Sequence, residues 1–194
     1  RNIGMVFQQF NLVKRSTVLT NVMAGRLGYS PTWRSITNQF DEADKKRAQT
    51  ALQRMGITDQ ANKRADELSG GQQQRVGIAR ALMQEPKMIL ADEPVASLDP
   101  VLAHSILQHL ENLNQEDGIT IICSLHYLDL VQRYSTSVIG LREGQVVYQG
   151  NKKQILRMTD KEFKMIYGEE AERMGGISGE IGEEEDAIGE EAAK

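Results

Sequence analysis

The sequence has few cysteines, prolines and aromatic residues, and these shortages exclude several classes of protein. Its 194 residues include 1 cysteine, 4 prolines and 5% aromatic residues. A single cysteine excludes a disulfide framework and is typical of a reducing compartment. The sequence contains no apolar run of the ~20 residues that a transmembrane helix needs, and no recognisable signal peptide. We therefore expect a soluble, cytoplasmic chain of one-domain size.

Negative charge is concentrated near the C-terminal end. Residues 169–194 contain 10 acidic and 2 basic side chains, a net charge of −8, so the remaining residues carry +4 of the total of −4. This segment is rich in glycine and glutamate and cannot bury enough apolar surface to order itself. We predict a disordered, solubilising tail, and the alternative is an acidic interaction arm.

A short apolar run in the middle of the chain leads to two adjacent acids. Residues 87–91 are followed by Asp92, Glu93 and Pro94. Such a run predicts a buried parallel strand, and α/β sheets place their functional residues at the carboxyl ends of these strands. On its own, an acid pair of this kind is most often a solvated strand end. Its meaning therefore depends on the neighbouring motifs.

Two other apolar runs are followed by polar residues that suit chemistry. A strand predicted from Ile3 leads to Gln8, and one predicted at residues 120–124 leads to His126. Glutamine is a poor general base, so Gln8 suits orientation better than proton transfer. A single histidine after a strand is usually structural or simply exposed. The second of these strands also contains Cys123, which we expect to be buried and unreactive.

Helices are predicted from their capping residues. A Ser-Gly-Gly turn at residues 69–71 precedes an amphipathic run, and the N-terminus of such a helix is a natural anion site. Asp99 can cap a second helix, Pro100 suits its first position, and Gly118 offers its end. Near the end of the sequence, residues 137–148 predict a strand hairpin and residues 161–167 a short helix.

These segments together resemble the motifs of the ATP-binding cassette (ABC) family, in the family's order. The resemblance implies an α/β fold, a P-loop NTPase-like ABC nucleotide-binding domain with a partial parallel sheet, over residues 1–168. It also implies a helical subdomain at about residues 16–67. The matching motifs are the Q-loop at residues 8–12, the signature at 68–72, Walker B at 87–94, the D-loop at 97–100 and the switch histidine at His126.

The resemblance implies a role for each site residue. Glu93 would orient and polarise the attacking water, with His126 and Gln8 as the other catalytic residues. Asp92 and Gln8 would hold Mg²⁺. The residues that the resemblance assigns to ATP binding are Ser69, Gly70, Gly71, Gln72 and Asp99.

The resemblance also implies partners and a location. A second ABC ATPase subunit would form a head-to-tail dimer with this chain, and membrane permease subunits would contact the Q-loop and the helical subdomain. A substrate-binding protein would take part indirectly, and no nucleic acid is expected. The expected location is peripheral, on the cytoplasmic face of the inner (plasma) membrane.

The substrate class is suggested by three stretches of sequence. Residues 8–14, 20–35 and 91–100 resemble the ATPases of phosphonate importers. We therefore predict an ATP-hydrolysing subunit that energises import of phosphonates or phosphate esters. Trp33 is either a surface anchor facing the permease or part of a satellite core. A solvated basic face is predicted from Arg26, Arg34, Lys45, Lys46 and Arg47.

The 194 residues lack the Gly-x-x-x-x-Gly-Lys-Ser/Thr P-loop with which this family's domain begins. We expect the family's P-loop strand beside the Walker B strand, where its loss would leave backbone groups unpaired at about 1–3 kcal/mol each. A truncated domain without activity of its own is the resulting expectation. The alternatives are a noncatalytic fragment or pseudo-subunit that supplies only the signature, and a soluble ABC protein acting on DNA or ribosomes.

Overall fold

Short parallel strands and the helices between them form the centre of the structure. The computed structural model describes residues 2–29 and 40–168. The acidic segment at 169–194, Trp33 and Arg34 therefore lie outside the described residues. The central strands are β1 (Ile3–Val6), β2 (Met88–Ala91) and β3 (Thr120–Cys123).

Strand β2 lies in the middle of this sheet. It pairs in parallel with β1 on one side and with β3 on the other, and the carboxyl ends of the three strands align at Val6, Ala91 and Cys123. The expectation that the P-loop strand belongs beside the Walker B strand is therefore wrong, because β1 and β3 already occupy both edges of β2. A further parallel strand can pair only at the outer edge of β1 or β3.

Both helices predicted from their caps are present. Helix α3 (Gly70–Leu82) begins after Ser69, which forms a capping box with Gln72. Helix α4 (Pro100–Asp117) begins after Asp99 and ends at Gly118, whose φ of 67° is the left-handed conformation that glycine favours. Since α3 and α4 carry the predicted signature and D-loop at their N-termini, these caps position part of the site.

The elements described between residues 16 and 67 are helical, apart from one isolated bridge between Thr17 and Arg64. The division of the chain into a core and a helical subdomain stays a prediction. The helical elements are α1 (Val18–Met23), a 3₁₀ helix (Ala24–Tyr29), α2 (Glu42–Arg54), and short 3₁₀ turns at Thr58–Gln60 and Ala65–Glu67.

The predicted solvated basic face is wrong for Arg26. Its side chain is only 14% exposed, and its Nε lies 3.1 Å from Asp44 Oδ1. Glu85, in the turn after α3, accepts hydrogen bonds from both Arg26 and Arg47. These ion pairs join the helical region to the end of α3. They were not predictable from the basic residues alone, because the acids come from other parts of the chain.

The C-terminal part of the described chain is a hairpin covered by short helices. Strands β4 (Ser137–Arg142) and β5 (Gln145–Asn151) pair antiparallel, as predicted. The accompanying helices are α5 (Leu128–Tyr134), α6 (Lys152–Leu156) and α7 (Asp160–Tyr167). A small second core joins Leu128, Met158, Phe163 and Ile166. No helix in the described ranges is long and apolar enough to cross a membrane.

Candidate active site

Polar residues that follow the parallel strands meet at one edge of the sheet. Asp92 and Glu93 come directly after β2, and Ser124 and His126 come after β3. Gln8 lies two residues beyond the end of β1 and is exposed at the same edge. Because the strand ends are in register, side chains from distant parts of the sequence reach one surface.

Glu93 and His126 form a short polar contact at this edge. His126 Nε2 lies 2.7 Å from Glu93 Oε1, and the two side chains are 50% and 31% exposed, respectively. Glu93 also has a φ of 43°, which is uncommon for a residue with a side chain. The pair therefore holds a carboxylate in a defined orientation that remains accessible to a substrate and to water.

Ser124 is a site residue that the sequence analysis missed. The backbone N–H of Glu93 donates to Ser124 Oγ at 2.7 Å, and this hydroxyl donates to Asp92 Oδ1 at 3.3 Å. One hydroxyl thus fixes the backbone of one acid and the carboxylate of the other. The available signal was its position: Ser124 ends the run predicted as a strand at residues 120–124, two residues before His126.

Replacing Ser124 by alanine is expected to lower the free energy of unfolding by about 1 kcal/mol, because the Glu93 N–H loses its acceptor. Urea denaturation of the full chain measures this. Ser124→Thr keeps the hydroxyl and is expected to lose less. Ser137→Ala, at the exposed start of β4, is the matched control and is expected to change stability by under about 0.5 kcal/mol. A Ser124→Ala variant as stable as this control would contradict the assigned hydrogen bond.

Exposed oxygen donors make this edge suitable for Mg²⁺. Asp92 supplies a carboxylate, Ser124 a hydroxyl and Gln8 an amide oxygen, and all three residues are exposed. No group of three or more His, Cys, Asp or Glu residues in the described part of the chain could hold a metal by itself. These residues suit an ion that takes few ligands from the protein and completes its coordination shell with phosphate oxygens and water. Mg²⁺ usually binds in this way.

The signature residues form a second group at the start of α3. Ser69 Oγ accepts from the N–H of Gln72 at 3.4 Å, and Gln72 Oε1 accepts from the N–H of Ser69 at 3.0 Å. A Cβ atom at Gly71 would lie 3.1 Å from a methyl group of Leu102 on α4, so this glycine permits close packing. The first turn of α3 therefore presents backbone N–H groups suited to an anion.

Asp99 is held by the helix that it caps. Its Oδ1 accepts from the N–H of Leu102 at 3.0 Å. Leu98, one residue earlier, lies against Gly70: a Cβ atom at that glycine would be 3.5 Å from its Cδ2. The predicted D-loop and signature are consequently in contact, and the position of one depends on the position of the other.

Cys123 lies in β3, as predicted, with a partly buried side chain. Burial raises the pKa of its thiol to about 12, and the negative charge of Asp92 adds to this effect. The thiol is therefore protonated and weakly nucleophilic at neutral pH.

The parallel sheet, the helices between its strands and the acids that follow β2 are those of a nucleotide-binding domain of the P-loop NTPase class. A family model described as "ABC transporter" matches residues 1–96. The phosphonates import ATP-binding proteins PhnC of Staphylococcus saprophyticus and of Staphylococcus aureus (strain MRSA252) are each 54% identical to this chain over 178 residues. These matches cover 90% of this chain and 68% of each relative. The chain belongs to the ATP-binding cassette family of transporter ATPases.

Solved structures confirm the predicted α/β fold. An ATP-binding cassette of an ABC transporter in its ADP conformation has a TM-score of 0.74 and 32% identity, over 86% of this chain and 68% of that one. A metal-chelate type ABC transporter in an inward-facing conformation has a TM-score of 0.77 and 28% identity, over 86% and 64%. A dimeric bacterial cassette has a TM-score of 0.66 and 38% identity, over 78% and 63%. This chain thus spans about two thirds of the length of its relatives.

Proposed function

We propose that the chain is the ATP-binding and ATP-hydrolysing subunit that energises an importer of phosphonates or phosphate esters. The observation that carries the proposal is the contact of 2.7 Å between Glu93 and His126 beside Asp92, at the carboxyl edge of the parallel sheet. The substrate class is supported by 54% identity to proteins named for phosphonate import.

In this proposal Glu93 acts on water. Its carboxylate accepts a proton from the water molecule that attacks the γ-phosphate of ATP and aligns it for in-line displacement. His126 holds this carboxylate, and it would also contact the γ-phosphate. Asp92 and Gln8 would hold Mg²⁺, which supplies positive charge to the phosphate oxygens when it is bound. Ser124 keeps Asp92 and Glu93 in their relative positions.

Two cassettes form the proposed working unit. The signature of this chain, residues 69–72, would contact ATP held by a second ABC ATPase subunit, with Asp99 at the interface. A dimeric relative supports this arrangement. Permease subunits would contact the Q-loop and the helical region at residues 16–67, on the cytoplasmic face of the membrane, and a substrate-binding protein would deliver the substrate. ATP binding would close the pair and hydrolysis would reopen it.

A second candidate function is that of a noncatalytic subunit that lends its signature to an intact ATPase. The described structure favours it in one respect: the capped first turn of α3 is complete within this chain. Such a subunit would need residues 69–72 but would not need Glu93. The two candidates therefore differ in the consequence of altering Glu93.

Both candidate functions predict that ATP turnover depends on Ser69. In a mixture of this chain with an intact cassette ATPase and Mg-ATP, Ser69→Ala is expected to lower phosphate release about ten-fold, because a hydrogen bond to the charged γ-phosphate is lost. Thr159 caps α7 with the same capping box, away from the parallel sheet, so Thr159→Ala controls for loss of a cap alone. The proposal is overturned if the unaltered chain neither pairs with the intact cassette in ATP nor changes its turnover.

A further inference from the structure

The loop that contains the predicted Q-loop residues lies along the signature helix. A Cβ atom at Gly70, in the first turn of α3, would be 3.8 Å from Phe10 Cζ. A Cβ atom at Gly77, two turns later, would be 4.0 Å from the carbonyl oxygen of Phe10. The ring of Phe10 therefore lies beside the first turn of α3, and its backbone carbonyl lies beside Gly77 on the same helix.

Arg80, near the end of α3, binds the loop directly. Its Nη1 donates to the carbonyl oxygen of Asn11 at 2.6 Å, and its Nη2 donates to the carbonyl oxygen of Phe10 at 2.9 Å. The two donors of one planar guanidinium thus hold two consecutive carbonyls, in a geometry that the single ammonium of lysine cannot reproduce. Asn11 has a φ of 49°, so the clamp holds a backbone conformation that few residues adopt.

A neighbouring polar residue on α3 does not hold the loop. Gln74 lies between Gly70 and Gly77 at helical spacing, and it is 1% exposed. Neither its Oε1 nor its Nε2 has a hydrogen-bond partner. In the described part of the chain, Arg80 donates the side-chain hydrogen bonds that join α3 to Phe10 and Asn11.

The turn of α3 that carries Arg80 is itself closely packed. A Cβ atom at Gly25, in the 3₁₀ helix Ala24–Tyr29, would lie 2.1 Å from the carbonyl oxygen of Arg80 and 2.9 Å from Met83 Cβ. No side chain fits at Gly25 without moving this backbone. The helical region therefore packs closely against the turn of α3 that carries Arg80. This packing limits independent movement of that turn.

We propose that Arg80 is a positioning residue that docks the Q-loop on the signature helix, so that Gln8 and residues 69–72 of one chain move together. The consequence for catalysis rests on the proposed function: in a pair of cassettes, Gln8 serves the nucleotide of its own chain and the signature serves that of the partner. Arg80 then transmits a displacement at one nucleotide to the other.

The docking is tested without nucleotide, by ¹⁹F NMR of the full chain labelled with 4-fluorophenylalanine. The chain has 4 phenylalanines, and Phe10→Leu identifies the resonance of Phe10. In Arg80→Met, this resonance is expected to move more than half of the way to its position in urea, while the other three keep their folded positions. Arg80→Lys is expected to move it less, because one ammonium replaces part of the fork. The matched control is Arg75→Met, since Arg75 lies on the same helix but donates to Ser105 Oγ on α4.

The coupling between the Q-loop and the signature is measured at the N-terminal end of α3. Release of Phe10 from Gly70 is expected to speed hydrogen exchange of the Gln73 N–H, which bonds the Ser69 carbonyl, about ten-fold in Arg80→Met. Amides of β5 serve as the internal reference. A Phe10 resonance that stays in place in both Arg80 variants overturns the docking, and a moved resonance with unchanged Gln73 exchange overturns the coupling. Because ATP is absent, neither result bears on the proposed ATPase activity.

Discussion

Replacing Glu93 by glutamine is expected to lower ATP turnover at least about 100-fold at a nucleotide that Glu93 faces. Glutamine keeps the size of the side chain but removes the negative charge that accepts a proton from water, and such general-base contributions are typically 10²–10⁴-fold. The measurement is phosphate release at saturating Mg-ATP, in a two-cassette assembly in which the family's Walker A segment is joined ahead of residue 1 of this chain, so that Glu93 faces a nucleotide bound by its own chain. ATP binding is expected to persist, because the glutamate acts on the attacking water.

Two comparisons make this experiment decisive. Glu111→Gln is the matched control, because Glu111 accepts from Arg133 on α5 and is placed outside the proposed site. It is expected to leave turnover within about two-fold, because the proposal gives Glu111 no part in the reaction. If Glu93→Gln leaves turnover intact in an assembly where Ser69→Ala lowers it, the chain lends only its signature, and the proposed catalytic role is wrong.

The thiol of Cys123 is expected to react with iodoacetamide about 10³-fold more slowly in the folded chain than in urea. Burial, with a smaller contribution from the charge of Asp92, raises its pKa from 9.0 to about 12. The thiolate is the reactive form, so three pH units correspond to about a 10³-fold smaller reactive fraction at pH 8. The chain has 1 cysteine, so labelling reports this residue alone. Labelling of the folded chain within ten-fold of the rate in urea would show that β3 does not shield the thiol.

The raised pKa of the Cys123 thiol is also expected to lower the free energy of unfolding at high pH. Between pH 9.0 and about pH 12 the unfolded chain releases the thiol proton while the folded chain keeps it. Rising pH therefore favours unfolding across this window, and the stability present below pH 9.0 is lost as the pH approaches 12. In Cys123→Ser this part of the pH dependence is expected to disappear, which urea denaturation at a series of pH values would measure.

Helix boundaries could be predicted from the sequence because the forces that set them are local. Ser69 caps α3 through a residue three positions later, and Asp99 caps α4 in the same way. Gly118 ends α4 in a left-handed conformation that a residue without a side chain adopts easily. Each of these interactions spans less than two turns, so neighbouring residue types suffice to predict it.

Contacts between distant segments could not be predicted in this way. The place of β2 between β1 and β3 depends on backbone pairing across about 30 residues or more, and the motif order does not reveal it. For the same reason Ser124 was missed as a neighbour of Asp92, and Arg26 was wrongly assigned to a solvated face although Asp44 lies beside it.

The sequence by itself determined the family, the parallel strands, the capped helices and the acids that follow β2. These features depend on residue types at short, regular spacing. Only the tertiary structure decided that His126 contacts Glu93 and that Ser124 bonds both Asp92 and Glu93. It also decided that Arg80 donates to backbone carbonyls of the Q-loop. The physical reason is that these hydrogen bonds, of 2.6 to 3.3 Å, form only after strand register and helix packing bring the segments together.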